Sequence, residues 1–521
     1  MSTGKVDAAI VGSGASGSLL AAKLAQTGKK VLVLEAGPER RASDLYSSQL
    51  WARRLKWSGP RVESVGKHPI NVVFGHGWGT GGSALHHYAC WFRLHPEDFE
   101  MRSRFGAGLD WPISYDALGP FYDRIQTEVG VSGDREQEVW RPPGAPYPMP
   151  PLKIFAQGRV IARGFQKLGL RTAPLPLAIN SVEYHGRPPC AYEGWCDAGC
   201  PLLALANPLA VYLSQARAAG AEIAHHAYVT RVLTNEKGDR ATGVEFFDAR
   251  GERRVEEARL VILASSALQN PRILLNSATS RHSSGLANAS GLVGKFMMTH
   301  IAGNAFGLFK ERTENYLGVT GGQLVSQENY AKDPRKGYLG SSQWLIANAL
   351  KPNDLLGIAN ARPDLFGDAL HKFLATASQH LATMTFVGEN LPRRENQLTL
   401  SREKDRFGFP LAHITHEFSS DDLKCFEAGM RQGKAIMKAA GAYEAWSSGP
   451  VSMHALGGTI MGKDAASSVV NSYGQTHEVS NLFVAGPGIF PTSGAVNPTF
   501  TIHAAALRAA DYVVARWSSL T

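Results

Sequence analysis

"VDAAIVGSGASG" (residues 6–17) runs an apolar stretch straight into Gly12-x-Gly14-x-x-Gly17, and the reading of these twelve residues decides the fold. "SLLAAKLAQTG" (18–28) follows with helical spacing, and "KKVLVLEAG" (29–37) gives a second short strand that ends in Glu35. Strand, glycines, helix, strand and acid in that order define a βαβ unit that binds a dinucleotide. Gly12 permits the tight turn, Gly14 lets the backbone approach a pyrophosphate, and Gly17 lets helix and strand pack closely. The pyrophosphate belongs on the helix N-terminus, where free N–H groups and the helix dipole favour an anion. Glu35 is placed to accept hydrogen bonds from a ribose. A flavoenzyme that also used a nicotinamide would carry a second such unit. The later strand "ARLVILASSALQNPRILLNS" (258–277) has no glycine fingerprint after it, so the expected cofactor is FAD alone.

A chain of 521 residues exceeds one ordinary core, so at least two domains are expected. Apolar residues at 44% and charged residues at 19% describe a soluble globular protein, and no long apolar run offers a membrane span. The formal charge of +9 is moderate and scattered, which argues against a nucleic-acid partner. The opening "MSTGKVDAAIVGSGASG" leads directly into the glycine motif, so no cleavable leader is expected.

Cysteine is used sparingly, yet three of the five cysteines fall in "PPCAYEGWCDAGCPL" (188–202), at Cys190, Cys196 and Cys200. The others are Cys90 and Cys425. An odd, clustered set is not a disulfide scaffold. Unrelated thiols, a redox disulfide between Cys196 and Cys200, a zinc site completed by His185, and an iron–sulfur cluster are the readings to weigh. Thiolates on a short loop followed by Pro201 suit iron and sulfide best. Three ligands without a near fourth suit a [3Fe–4S] centre, whereas a [4Fe–4S] centre would need Cys90, Cys425 or a non-cysteine ligand.

Four further segments carry a resemblance. "GTGGSALHHYACWFRLHPEDF" (79–99), "LASSALQNPRILLNS" (263–277), "HALGGTIMG" (454–462) and "NLFVAGPGIFPTSGAVNPTFTIHAAALRAAD" (481–511) resemble the signature segments of the glucose–methanol–choline (GMC) oxidoreductases. Asn270 stands where Ser or Thr is usual, and Ala278 where Gly is usual. The likeness spans nearly the whole chain and is weakest from about 305 to 385. The cysteine spacing, "DWPISYDALGPFY" (110–122) and "YPMPPL" (147–152) resemble one branch, the catalytic subunits of bacterial FAD-dependent glucose, fructose and gluconate dehydrogenase complexes. Ala191 departs from a second adjacent cysteine common there.

The resemblance implies an α/β fold with a Rossmann-like FAD-binding domain and a second α+β substrate domain built on an antiparallel sheet. The FAD domain is expected to collect 1–100, 201–300 and 450–521. The substrate domain is expected to collect 101–200 and 301–449, with the cysteine loop at their seam. "VTRVLTNEKGDRATGVEFFDARGERRVEEARLVILASSA" (229–267) reads as a three-stranded hairpin region feeding the parallel sheet, with "NEKGD" and "DARGE" as turns. "ENLPRRENQLTLSREKDRFGFPLAHITHEFS" (389–419) reads as strands of the substrate sheet.

For the site, the resemblance implies His454 as catalytic base and Asn497 as the hydrogen-bond donor to the substrate oxygen. Cofactor contacts are implied for Gly81, Gly82, Val229, Gly486, Asn497 and Pro498, beside Gly12, Gly14, Gly17 and Glu35. Some relatives attach FAD covalently through a histidine of the flavin loop, and His86 rather than His87 is the expected link. The alternative is that both line the flavin as polar residues. His225, His226 and His503 are expected to be structural. The implied reaction is hydride transfer from a sugar alcohol to flavin N5, with electrons leaving through the cluster to a cytochrome or quinone. The alternatives are a non-sugar alcohol, aromatic, terpenoid or aliphatic, and an oxygen-using oxidase with structural cysteines. The resembling enzymes imply a small export subunit and a c-type cytochrome subunit as partners, on the periplasmic face of the inner membrane. A cytoplasmic protein is the alternative location.

Overall fold

In the computed structural model, which describes residues 5–56, 59–70 and 76–521, β1 (Val6–Val11) and β2 (Val31–Leu34) are parallel neighbours joined by α1 (Ala15–Ala25). Both strands are apolar nearly throughout because both faces of a parallel sheet are covered. The sheet runs Glu222–Ala224, β2, β1, Arg253–Leu263, Ala241–Phe247 and Tyr228–Thr234, and Leu482–Val484 also pairs with Arg253–Leu263. The long strand Arg253–Leu263 does two jobs. Its first half pairs antiparallel with Ala241–Phe247, and its second half lies parallel between β1 and Leu482–Val484. The turn-bounded hairpins expected over 229–267 are therefore present and feed the parallel sheet. Helix Thr499–Ala515 packs on α1 and closes one face of this layer.

A second sheet is antiparallel, in the order Glu444–Ser447, Met298–Leu308, Leu381–Gly388, Ser342–Ile346, Leu324–Ser326 and Ala173–Pro174. Met298–Leu308 also takes Val451–Leu456 on its other half, so a single strand serves two successive partners. Helices Ala156–Lys167 and Ser420–Ala440 cover the sheet through Ile161, Phe165, Met430, Ile436 and Met437. The "SSQW" that reads as polar in the sequence lies largely in the buried strand Ser342–Ile346.

One expectation is corrected. Gln397–Lys404 and Pro410–Thr415 form strands, but they do not join the large antiparallel sheet. They pair with each other and with Glu63–Val65 in a separate three-stranded sheet. The cause is where their apolar side chains are needed: Leu398, Ala412 and Ile414 pack on Leu268 and Met297, beneath helix Gln269–Asn276. Among the described residues no helix is long and apolar enough to cross a membrane.

Candidate active site

The glycines of the first turn behave as their spacing requires. Gly12 has φ +101, and a Cβ there would lie 2.8 Å from the Ala264 carbonyl oxygen. A Cβ on Gly17 would lie 2.0 Å from the Gly12 carbonyl oxygen, so only glycine fits that helix–strand contact. Gly14, at the N-terminus of α1, faces open space, its nearest neighbour being the Gly81 carbonyl oxygen at 3.8 Å. That opening is the cradle a pyrophosphate needs. Glu35 is already engaged on both oxygens. Ser13 donates its N–H (3.1 Å) and hydroxyl (2.6 Å) to one, and the Gly37 and Gly79 amides (3.0 Å each) donate to the other. It thus ties the glycine turn to the flavin loop, a role the sequence did not suggest. Gly81 and Gly82 follow with φ +89 and +53, and the Gly81 amide donates to Ser13 Oγ. Val229 lies in the strand Tyr228–Thr234, and Gly486 and Pro498 flank the segment that enters helix Thr499–Ala515. His225 Nε2 stands 2.8 Å from Thr80 Oγ1 at the edge of this cradle, and His503 is buried in helix Thr499–Ala515.

His454 sits where strand Val451–Leu456 slips register against Met298–Leu308, between Met453 and Leu456. Its φ of +64 is rare for a residue with a Cβ and costs about 1–3 kcal/mol. Such a bulge re-aims one side chain out of the sheet pattern. The Nδ1 of His454 lies 2.9 Å from Nδ1 of His300, whose Nε2 lies 3.2 Å from the Ser493 carbonyl oxygen. These contacts order the protons. A carbonyl only accepts, so His300 carries its proton on Nε2. Burial holds His300 near a pKa of about 4 and therefore neutral, leaving its Nδ1 as an acceptor. His454 must then donate from Nδ1. Burial, then His300, push His454 well below the usual histidine range, so its Nε2 is bare. The residue keeps some exposure, so that lone pair is open to a ligand. Asn497 is four residues beyond Ser493, with a buried Oδ1 that has no partner among the described residues. His300 thus links His454 to the segment that carries Asn497, and the sequence reading missed it.

His86 is buried and His87 half-buried, and each Nε2 is buried without a partner among the described residues. His87 spends its Nδ1 on the Ala84 carbonyl (2.7 Å). Burial and then Lys56 hold His86 down to a pKa of about 3. Lys56 in turn pairs with Asp197 of the cysteine loop at 2.8 Å, so flavin loop and cysteine loop meet there.

All five cysteines are free thiols. Burial raises Cys190 to about 11 and Cys196 to about 12, and both are raised further by neighbouring thiols of the trio. Cys90 is raised by burial and by Cys196 alone, and Cys425 lies elsewhere, beside the Gly340 and Ser341 carbonyls. His185 is turned away, with Nε2 on the Thr127 carbonyl at 3.2 Å. Among the described residues no three His, Cys, Asp or Glu side chains converge tightly enough for a single metal ion. The thiols do receive backbone donors, Tyr192 N to Cys190 (3.3 Å) and Leu205 N to Cys200 (3.4 Å), which suit sulfur carrying negative charge.

A nucleotide cradle on a parallel sheet, with a histidine base presented by a second antiparallel sheet, defines a flavin-dependent oxidoreductase of CH–OH groups. The chain belongs to the GMC oxidoreductases: the amino-terminal model of that family matches residues 7–302 and the carboxy-terminal model residues 392–506. Its cofactor is FAD. The chain is 31% identical to the fructose dehydrogenase large subunit of Gluconobacter japonicus, over 98% of this chain and 97% of that one. It is 32% identical to the 2-methyl-1,2-propanediol dehydrogenase of Mycolicibacterium austroafricanum, over 100% and 97%. A formate oxidase variant from Aspergillus oryzae RIB40 shares the fold, with a TM-score of 0.70 at 16% identity over the full length of both chains.

Proposed function

We propose that the protein is a dehydrogenase of a sugar or sugar-derived alcohol that sends its electrons to an external acceptor. The observation that carries the chemistry is the bare Nε2 of His454, fixed by the proton order running through His300 to Ser493. Nε2 accepts the substrate hydroxyl proton as the carbon gives up its hydride. The Asn497 side-chain N–H donates to the substrate oxygen while His454 takes its proton, and the buried Asn497 Oδ1 has no partner among the described residues. FAD, when bound, supplies the hydride acceptor. The base being neutral and desolvated keeps water from competing for the proton.

The fructose dehydrogenase large subunit and the gluconate 2-dehydrogenase flavoprotein of Pantoea cypripedii (27% identical over 95% of this chain) support a sugar substrate. The 2-methyl-1,2-propanediol dehydrogenase supports a small non-sugar diol as the second reading. Initial rates with an artificial electron acceptor across both classes separate them: activity confined to aliphatic diols rejects the sugar reading.

Cys190, Cys196 and Cys200 would hold an iron–sulfur group, most simply [3Fe–4S], able to pass electrons on singly. Their shared loop, the backbone donors to Cys190 and Cys200 and the separate place of Cys425 support a three-cysteine set. Iron and acid-labile sulfide per flavin, measured on anaerobically purified protein with its electron paramagnetic resonance spectrum, test this. About three irons per flavin are expected; flavin without iron moves the protein toward the oxidases. Cys196→Ser should leave reduction of the flavin by substrate intact and slow delivery to a cytochrome. A small companion subunit, a c-type cytochrome subunit and a periplasmic membrane face complete the proposed setting, supported by the "large subunit" name of a relative.

A further inference from the structure

Behind His300 lies a charge cluster that the proposed mechanism does not use. In the antiparallel pairing of Met298–Leu308 with Leu381–Gly388, Ile301 is opposite Gly388, so the next position places Glu389 opposite His300. Directly opposed residues of an antiparallel pair share a face of the sheet. Glu389 bears on His300, pulling its pKa upward against burial, and beside it the Thr299 amide donates to the Asn390 side chain at 3.0 Å. Glu389 Oε2 takes the Lys332 ammonium at 2.7 Å and the Ser341 amide at 3.0 Å. Its other oxygen, Oε1, is buried with no hydrogen-bond partner among the described residues. Lys332 also pairs with Asp98 at 3.3 Å, and the side chains of Lys332, Asp98 and Glu389 are all fully buried.

Two carboxylates thus share one ammonium, which leaves one negative charge in excess within the protein. The other groups around the cluster do not cancel it. Tyr330 donates to Asp98 at 2.7 Å and accepts from the Ala495 amide, Glu97 takes the Lys332 amide, and Cys425 is a buried thiol kept neutral first by burial and then by Glu389. A further ammonium, Lys336, faces the carboxylates of Asp333 and Glu97. Asp422 and His416 lie beyond, on the side chain of Asn390. On the His454 side, His300 is the titratable neighbour. The same cluster grips the catalytic segment: Tyr330 holds Ala495, and Thr492 donates to the Asp98 carbonyl, on either side of Ser493.

We propose that Glu389 is the anionic partner of the His300–His454 pair and stabilises the positive charge that His454 acquires as it takes the substrate proton. The step balances simply. The substrate O–H bond breaks, an N–H bond forms at His454 Nε2, and the C–H electron pair leaves as hydride to the flavin of the holoenzyme. Glu389 touches none of the reacting atoms. It is a positioning and electrostatic residue acting through His300, and its role rests on His454 being the base.

The experiment is the pH profile of anaerobic flavin reduction by substrate, in stopped flow, for the holoenzyme and its variants. Glu389→Gln removes the charge at constant size. It should lower the rate about tenfold and move the acid limb about one pH unit down, because the imidazolium loses its partner. Glu389→Asp should restore most of both. Lys332→Gln enlarges the negative excess and should move the limb the opposite way, and it decides the matter if Glu389→Gln does not fold. An acid limb that stays fixed in the soluble, flavin-loaded variants overturns the proposal, even if rates fall. A His454→Ala enzyme that still reduces its flavin would instead reject the base beneath it.

Discussion

At the scale of single residues, two imidazoles joined Nδ1 to Nδ1 decide where a proton can go. Replacing His454 by Ala should lower the rate of flavin reduction by about 10²–10⁴ while flavin content stays at the wild-type level. Unchanged turnover in that variant would reject the assignment. Because burial pushes His454 well below the usual range, its basic form persists into acid. The acid limb of kcat/KM should therefore fall below pH about 6.5, the ordinary histidine value, and a limb at or above that value would contradict the geometry. His454 and Asn497 could be named as candidates from the sequence because each lies within a recognisable segment. His300 was not. Its meaning depends on a cross-strand register linking residues 154 positions apart, which no local pattern encodes.

At the scale of elements, the glycine turn and α1 act as one piece. Gly17→Ala would drive a methyl group into the Gly12 carbonyl, which a short strand and a capped helix cannot both yield to. A loss of about 3 kcal/mol in stability and of most bound flavin is expected, measured by urea unfolding and flavin absorbance of the purified protein. Retained flavin and stability would show that the turn can relax. The βαβ unit and the hairpins over 229–267 were readable from alternation and turn residues alone. The strands Gln397–Lys404 and Pro410–Thr415 were readable as strands, yet not their sheet. Which edge a strand joins depends on what its apolar face must cover, and here that face covers Leu268 and Met297.

At the scale of the whole molecule, many imidazoles are buried and held neutral. His76, His87, His300, His416 and His503 are pushed down to about 4, and His86 and His95 to about 3, each mainly by burial. Unfolded, these groups take up protons near pH 6.5, so between that value and about 4 the unfolded chain binds more protons than the folded one. Stability from this source is fully present above pH about 6.5 and is lost as pH falls. The urea midpoint should drop steadily from pH 7.5 to 5, and a midpoint independent of pH across that range would contradict the burial of these rings. The two-sheet plan was legible from the first forty residues and the family segments. How 305–385 folds was not, since its mixed polarity hides a buried strand, Ser342–Ile346, in the middle of the second sheet.

That sheet also has a division of labour along its width. Met298–Leu308, which carries His300, is flanked by Leu381–Gly388 and by the strand of His454, while Ser342–Ile346 and Leu324–Ser326 lie progressively further out. Much of the region of weakest family likeness therefore occupies the outer part of a sheet whose inner strands hold His300 and His454. Exchange of the outer strands would alter what the enzyme accepts and leave that pair in place, whereas Lys332 and Ser341, which hold Glu389, come from the same variable region and tie the base's setting to it.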